Sequence, residues 1–218
     1  MGILDRLGPR RSGLESAAPS AAESDEPLFT TKALCKLLSS LTSRPSPALL
    51  DLGPVVGSNV SFFGEQLGCK IFVEDIYAEI ERHAHAGTMG ELPGYLSRRF
   101  TQADDSIDGV LCWDLLDFLD RPSSQALADQ LTRILRPEGA LFAFFGSAKP
   151  GDLQYTKFII ADEANLRHRP YPATRGRQAA LANRDIIRLF SGLRVSDSFL
   201  MKNNVREILF RKPVYGTR

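Results

Sequence analysis

The chain has 218 residues, of which 43% are hydrophobic, so it can bury one substantial core but is too short for two large domains. Its 27 basic and 26 acidic side chains nearly cancel, so no overall charge favours nucleic acid or an anionic membrane as a partner. No apolar run approaches the roughly 20 residues that span a bilayer, and no apolar segment follows the N-terminal arginines as in a signal peptide.

The cysteines and histidines do not predict a metal site. Cys35, Cys69 and Cys112 are widely spaced within apolar stretches, which is typical of buried free thiols in a reducing compartment. His83 and His85 lie two residues apart in a predicted helix, so they do not share a face. We therefore expect a cytoplasmic protein without a bound metal.

The first 27 residues carry few large apolar groups and are predicted to be a disordered leader, with residues 28–218 forming the folded domain. Thr30 or Thr31 can cap a first helix. That helix has leucines at the spacing of one face, and Pro45 and Pro47 follow its end. These leucines are Leu34, Leu37, Leu38 and Leu41.

A strand, a glycine-containing loop, a helix and a second strand come next. The apolar run 48–53 reads as a buried parallel strand, and residues 60–67 are predicted to be a helix that ends at Gly68. Residues 70–75 form the second strand, which ends in Glu74 and Asp75. This order is that of a βαβ unit.

The alternation of helices and strands continues to about residue 146. We expect a helix over 76–85, but the third strand has no clear position within 87–105. A fourth strand over 107–113 precedes a helix that opens near Pro122, and the apolar run 140–145 is a fifth strand. Alternating helices and buried strands predict an α/β sheet.

The C-terminal third has a different pattern. Residues 155–161 and 165–171 are predicted to pair as an antiparallel hairpin, within an insertion over 151–182 that we interpret as a hairpin or lid. Asn183 can cap a short helix. The final strands, 193–200 and 207–212, are joined closely enough to require an antiparallel pair.

Ligands of an open parallel sheet bind beyond the carboxyl ends of its strands, where the strand order reverses. This rule places the site at residues 51–59, 74–77 and 112–117. Gly53 and Gly57 flank a turn in which the backbone can approach a ligand closely, although glycines of this kind also serve turns alone. A carboxylate after the second strand can accept hydrogen bonds from a ribose diol.

Four segments in order resemble the motifs of class I S-adenosylmethionine-dependent methyltransferases. They are LDLGPVVG at 50–57, VEDIY at 73–77, IDGVLCWDLL at 107–116 and LRPEGAL at 135–141. The resemblance implies an α/β, Rossmann-like methyltransferase fold, with a mostly parallel seven-stranded sheet, helices on both faces and S-adenosylmethionine as cofactor. Two positions depart from the family pattern, because Val55 replaces the middle glycine of the loop and Glu138 replaces a turn glycine.

The resemblance also implies roles by position. Asp51 would orient the loop, Gly53 and Gly57 would let it pass the methionine and ribose, and Glu74 or Asp75 would hold the ribose hydroxyls. The stretch around Asp104 would meet the adenine. Cys112, Trp113 and Asp114 would line the pocket near the methyl group. These cofactor-binding candidates are Asp51, Gly53, Gly57, Glu74, Asp75, Asp104, Cys112, Trp113 and Asp114.

Three side chains of the insertion are candidates for a substrate lid: Tyr155, His168 and Tyr171. His168 lies in a basic stretch with Arg167, Arg169, Arg175 and Arg177, which also fits a solvated hairpin. Loops that follow the fifth strand are suited to carry specificity.

Two functions remain open at this level. One is methyl transfer, with a small molecule as the preferred acceptor and neither nucleic acid nor membrane as a partner. The other is a non-catalytic binding or regulatory module with the same fold, which Val55 and the lack of an acceptor motif favour slightly. An NAD-dependent oxidoreductase is a weaker alternative, because the G-x-G-x-x-G fingerprint is absent. The sequence indicates neither a general base nor an oligomeric state.

Overall fold

Two β-sheets and six α-helices make up the part of the chain that the structure, a computed structural model, describes, namely residues 27–146, 150–178, 181–201 and 204–214. The strands are β1 (Leu28–Thr30), β2 (Ala48–Asp51), β3 (Lys70–Val73), β4 (Ile107–Trp113), β5 (Leu135–Phe145), β6 (Gln154–Asp162), β7 (Asn165–Pro172), β8 (Arg194–Leu200) and β9 (Arg206–Arg211). The helices are α1 (Ala33–Thr42), α2 (Gly57–Ser61, continued by a π-helical segment, Phe62–Gln66), α3 (Ile76–Ala86), α4 (Leu92–Arg99), α5 (Arg121–Ile134) and α6 (Asn183–Leu189). Apart from Pro27, the predicted leader lies outside the described residues.

The central sheet has the strand order β3-β2-β4-β5-β9-β8. The first four of these strands are parallel, and β9 and β8 add an antiparallel pair at one edge. Strand β2 lies between β3 and β4, with Asp51 opposite Val73 on one side and Leu111 on the other. The strand order reverses here, so the carboxyl ends of β2, β3 and β4 meet at one edge of the sheet.

Helices cover both faces of the sheet, as predicted. Strand β4 is buried along its whole length, which a strand covered on both faces requires. Alternate residues enter two separate cores, so Leu111 packs with α1 whereas Val110 packs with α3, α4 and α5. The leucine face of α1 is buried as its spacing predicted.

The described part of the central sheet has six strands, one fewer than the expected seven. Residues 92–99 of the stretch without a clear strand form α4, which leads back to β4. Leu92 and Leu96 are its buried side chains, and this four-residue spacing belongs to one face of a helix. Strand β3 is therefore an edge strand of the sheet.

A second, three-stranded sheet has the order β1-β7-β6. Strands β6 and β7 form an antiparallel hairpin, hereafter the hairpin, and the short β1 pairs with the outer side of β7. The sequence did not predict β1, because its three residues carry no recognisable strand pattern. Pairing with β7, more than a hundred residues away, is what makes this segment a strand.

Of the two predicted helix caps, Thr31 contributes to the first and Asn183 does not form the second. Helix α1 begins after Lys32, and its first amide groups donate to the carboxylate of Glu207 in β9, at 3.1 Å from Lys32 N and 3.0 Å from Ala33 N. Thr31 accepts a weaker bond from the amide of Leu34 at 3.3 Å. Asn183 is wrong as a cap, because it is the first residue of α6 and not the residue before it.

Candidate functional site

Asp51, the last residue of β2, organises the glycine loop. One oxygen of its buried carboxylate accepts hydrogen bonds from the amide of Gly53 at 2.9 Å and from the indole N–H of Trp113 at 2.7 Å. Burial raises the pKa of Asp51 to about 6, although both hydrogen bonds favour the charged form. The carboxylate thus joins the loop after β2 to the end of β4.

Trp113 forms one wall of this loop. It has a φ of 51°, in the left-handed region, and its ring stacks on Phe158 of the hairpin at 5.0 Å with an interplanar angle of 6°. A Cβ atom on Gly53 would lie 2.8 Å from Cδ1 and Nε1 of Trp113. Position 53 therefore requires glycine, because the Cβ atom of any other residue would collide with the indole of Trp113.

The second half of the loop is open. A Cβ atom on Gly57, at the start of α2, would meet no described atom within 4 Å. Val55, at the position of the family's middle glycine, is 63% exposed. Packing therefore leaves space along the loop at Gly57.

The two acids after β3 face different neighbours. Glu74 forms an ion pair with Arg99 of α4. Asp75 accepts a hydrogen bond from the amide of Ala78 at 3.0 Å and so caps α3. After burial, the charge of Asp75 is a further cause of the raised pKa of both Asp51 and Tyr155. The charge of Asp75 therefore acts on both the loop and the hairpin.

Asp104 does not join the other candidates. It precedes the first residue of β4, Ile107, and therefore lies near the amino end of a strand whose carboxyl end carries Trp113. Its exposed carboxylate pairs with Arg133 of α5 at 2.7 Å. The structure places no other candidate residue beside it.

Cys112 and Asp114 are both buried, but in different surroundings. The thiol of Cys112 packs in the apolar core with Leu50 and Leu141, and burial raises its pKa far above the ordinary value. The carboxylate of Asp114 accepts hydrogen bonds from the hydroxyl of Tyr77 and from Nη2 of Arg177, the latter at 2.6 Å.

Arg177 bridges two acids that follow β4. Its Nη1 lies 3.4 Å from Asp117, so each terminal nitrogen contacts one carboxylate of what we call the Asp114–Asp117 pair. The guanidinium carbon lies 4.5 Å from the centre of the Phe118 ring. The amide of Gly146 also donates to Asp117, at 3.3 Å. The three charged side chains are at most 5% exposed.

The hairpin covers the edge of the sheet where these residues meet. Tyr155 stacks on Tyr77 at 5.3 Å and on Tyr171 at 5.6 Å, so two lid candidates form one aromatic column with α3. The side-chain amide of Asn59 in α2 anchors the other end of β6. It donates to the carbonyl of residue 158 and accepts from the amide of residue 160, both at 2.8 Å.

His168, the third lid candidate, packs away from this aromatic column. Its ring stacks on Phe29 of β1 at 3.9 Å and meets Phe158 edge-on. Burial lowers the pKa of His168 to about 4, so the imidazole is neutral at pH 7.

Sequence reasoning missed the roles of Tyr77, Asp117 and Asn59, and it grouped Arg177 with a solvated basic stretch. The structure buries Arg177. One signal was available, because Asp114 and Asp117 interrupt an apolar segment from 111 to 119, and two acids in a buried segment require a cationic partner.

Two cavities lie beside this region. One cavity, of about 840 Å³, lies between β1 and β8, and Phe29, Phe199 and Glu207 are among the residues that line it. The other, of about 370 Å³, is a groove between the start of α5 and α6, with Leu119 and Gln178 in its walls. No described helix is long and apolar enough to cross a membrane.

Comparison with known proteins identifies the fold. No protein-family profile and no curated protein matches the chain. The solved PH0226 protein from Pyrococcus horikoshii OT3 is 16% identical, with 82% of this chain and 88% of that chain covered and a TM-score of 0.52. The 1,6-didemethyltoxoflavin-N1-methyltransferase of Burkholderia thailandensis, solved with 1,6-didemethyltoxoflavin and S-adenosylhomocysteine, is 15% identical, with coverages of 89% and 82% and a TM-score of 0.50. The chain therefore has the α/β fold of the methyltransferases.

Proposed function

We propose that this chain binds S-adenosylmethionine at the carboxyl ends of β2, β3 and β4 and transfers its methyl group to a small molecule. The observation that carries the proposal is the arrangement of Asp51, whose buried carboxylate holds the amide of Gly53 in the bend after β2. This bend lies where the strand order reverses, the place at which open α/β sheets bind their ligands. The methyltransferase fold supports the same assignment.

The residues at this edge are compatible with the cofactor. No described side chain packs over the backbone of Gly57 at the start of α2. The methionine portion of the cofactor would lie beside this glycine. Asp75 would accept the ribose hydroxyls, because its charge acts on Asp51 and Tyr155 whereas Glu74 is held by Arg99. A carboxylate accepts up to about four hydrogen bonds, so capping α3 leaves Asp75 with acceptor capacity.

When bound, S-adenosylmethionine would supply an activated methyl group on a cationic sulfur, which a lone pair of the acceptor can attack. The chain then has to align the reactants and exclude water. The hairpin does this by its position, since Phe158 covers Trp113 and Tyr155 covers Tyr77. An acceptor that carries a hydrogen on the attacking atom releases one proton.

The preference for a small acceptor has two supports. The net charge is +1, which provides no overall attraction for nucleic acid. The Burkholderia thailandensis methyltransferase was solved with a small molecule, 1,6-didemethyltoxoflavin, and S-adenosylhomocysteine bound.

A non-catalytic module with the same fold is the second candidate. The observation in its favour is that the chain's own side chains occupy the edge of the sheet, with Trp113 against Gly53 and Arg177 on the Asp114–Asp117 pair.

A titration with S-adenosylhomocysteine tests the proposal, and Trp113, the only tryptophan of the chain, reports binding by its fluorescence. We expect saturable binding. Asp75→Ala should weaken it by roughly 10- to 150-fold, which corresponds to about 1.5–3 kcal/mol for a hydrogen bond to a charged group. Glu74→Ala, the matched control, should change it little. If the wild-type chain does not bind S-adenosylhomocysteine at millimolar concentration, the non-catalytic module becomes the favoured function. If the two variants weaken binding equally, the assignment of Asp75 to the ribose is refuted.

A further inference from the structure

We propose that Phe158 of the hairpin is a positioning residue that holds both ends of the glycine loop, residues 53–57, so that cofactor binding and closure of the hairpin are coupled. Phe158 acts through Trp113 at the first end of the loop and through Asn59 at the second. The inference rests on the proposed function, because it adds the hairpin to the elements that hold the cofactor loop.

Three successive contacts join Phe158 to the first end of the loop. Its ring stacks on the indole of Trp113 at 5.0 Å, with an interplanar angle of 6°. The indole N–H donates to a carboxylate oxygen of Asp51 at 2.7 Å, and the same oxygen accepts the amide of Gly53 at 2.9 Å. Because one oxygen serves both donors, a displacement of the indole also changes the bond that holds Gly53.

The backbone of the same residue holds the second end of the loop. Helix α2 begins at Gly57, and Asn59 is the only buried residue among 57–61. The side-chain amide of Asn59 donates to the carbonyl of Phe158 and accepts from the amide of Ile160, both at 2.8 Å. These are the backbone groups that a neighbouring strand would use. The position of α2 therefore depends on its two hydrogen bonds to the hairpin.

Coupling between the hairpin and the cofactor follows from this arrangement. A ligand beside the glycine loop restricts the motion of the loop, and Phe158 is bonded or stacked to the anchors of both ends. Binding therefore also restricts the hairpin. Linkage is reciprocal, so a chain with an anchored hairpin binds the cofactor more tightly than a chain with a loosened one.

Amide exchange of the ligand-free full chain, followed by NMR, tests the connection across the loop. Asn59→Ala should speed exchange at Ile160 and also at Gly53, at the opposite end of the loop, by roughly 5-fold for one weakened hydrogen bond. Phe158→Leu removes the stacked ring and should likewise speed exchange at Gly53. Ser58→Ala changes an exposed neighbour of Asn59 and should alter neither amide. Unchanged exchange at Gly53 in both Asn59→Ala and Phe158→Leu would overturn the inference.

S-adenosylhomocysteine tests the coupling itself. In the wild type, saturating ligand should slow exchange at Ile160. Asn59→Ala should weaken binding, measured by calorimetry, by roughly 5- to 30-fold, the range for one or two lost hydrogen bonds. Saturating ligand should then slow exchange at Ile160 less than it does in the wild type. An anchor that only stabilises the hairpin would leave the affinity and the slowing by ligand unchanged, and that result would overturn the inference.

The two arms separate this inference from the proposed function. A wild-type chain that binds no S-adenosylhomocysteine would refute the proposed function, whereas ligand-free exchange at Gly53 decides whether the hairpin holds the loop. Circular dichroism confirms that each variant is folded. If Asn59→Ala does not fold, Phe158→Leu serves in both arms with the same expected directions.

Discussion

Replacement of Gly53 by alanine tests the contact between the glycine loop and Trp113. The new Cβ would lie 2.8 Å from two indole atoms and 3.2 Å from the Asp51 oxygen that accepts the indole N–H. Separations below 3 Å are not tolerated, so the indole must move. Its movement is restricted, because the ring is already stacked on Phe158 and packed edge-on against Phe142.

The expected cost follows from these two effects. Overpacking a filled site costs about 1–3 kcal/mol. Displacing the indole also weakens a hydrogen bond to a charged group, and such bonds contribute about 1.5–3 kcal/mol. Because the two effects overlap, we expect Gly53→Ala to lower the free energy of unfolding by roughly 2–4 kcal/mol. For a chain of this size the melting temperature should fall by roughly 4–16 °C.

Thermal and urea unfolding, followed by circular dichroism and by the fluorescence of Trp113, measure this effect. Gly57→Ala is the matched control. It adds the same methyl group to the same loop, where no described atom lies within 4 Å, and it should leave stability nearly unchanged. Similar melting temperatures for the two variants would refute the packing argument.

Two further predictions concern Asp51 and Asn59. Burial raises the pKa of Asp51 from 3.8 to about 6, so the folded state binds the proton more tightly and this group's contribution to stability decreases as pH rises from about 4 to 6. Asp51→Asn removes that titration. The free energy of unfolding of the variant, relative to that of the wild type, should therefore be greater at pH 8 than at pH 4, by up to roughly 3 kcal/mol. Urea unfolding at the two pH values measures this difference, and a difference that does not change with pH would contradict the prediction. Asn59→Ala removes both hydrogen bonds to β6, at about 1 kcal/mol each, and should speed amide exchange at Ile160. The exposed Ser58→Ala is its control, and unchanged exchange at Ile160 in the Asn59 variant would show that the anchor is dispensable.

Several elements could be predicted because their signals are local. Apolar runs mark β2 and β4, and the four-residue spacing of leucines marks α1. The short link between β8 and β9 allows only an antiparallel pair. Once the order of strands and helices is known, the right-handed crossover rule brings Asp51 and Asp75 to one edge of the sheet. Most of the predicted cofactor site depends on this reasoning.

Other features depend on the tertiary structure, because their partners lie far apart in the chain. Strand β1 exists through its pairing with β7, and the first turn of α1 is capped by Glu207. Asp104 was misplaced because a short acidic motif does not indicate which end of the sheet it reaches.

The sequence by itself determined the α/β alternation, the position of the glycine loop and the acids that follow the strands, because each depends on residues a few positions apart. Only the tertiary structure decided what surrounds those acids. Arg177 meets Asp114 across 63 residues, and Trp113 meets Asp51 across 62. The contact of Trp113 arises when β4 pairs with β2 in the sheet, and the contact of Arg177 arises when the segment after the hairpin packs on the loop after β4. Burial then makes a partner necessary for each of these polar or charged side chains.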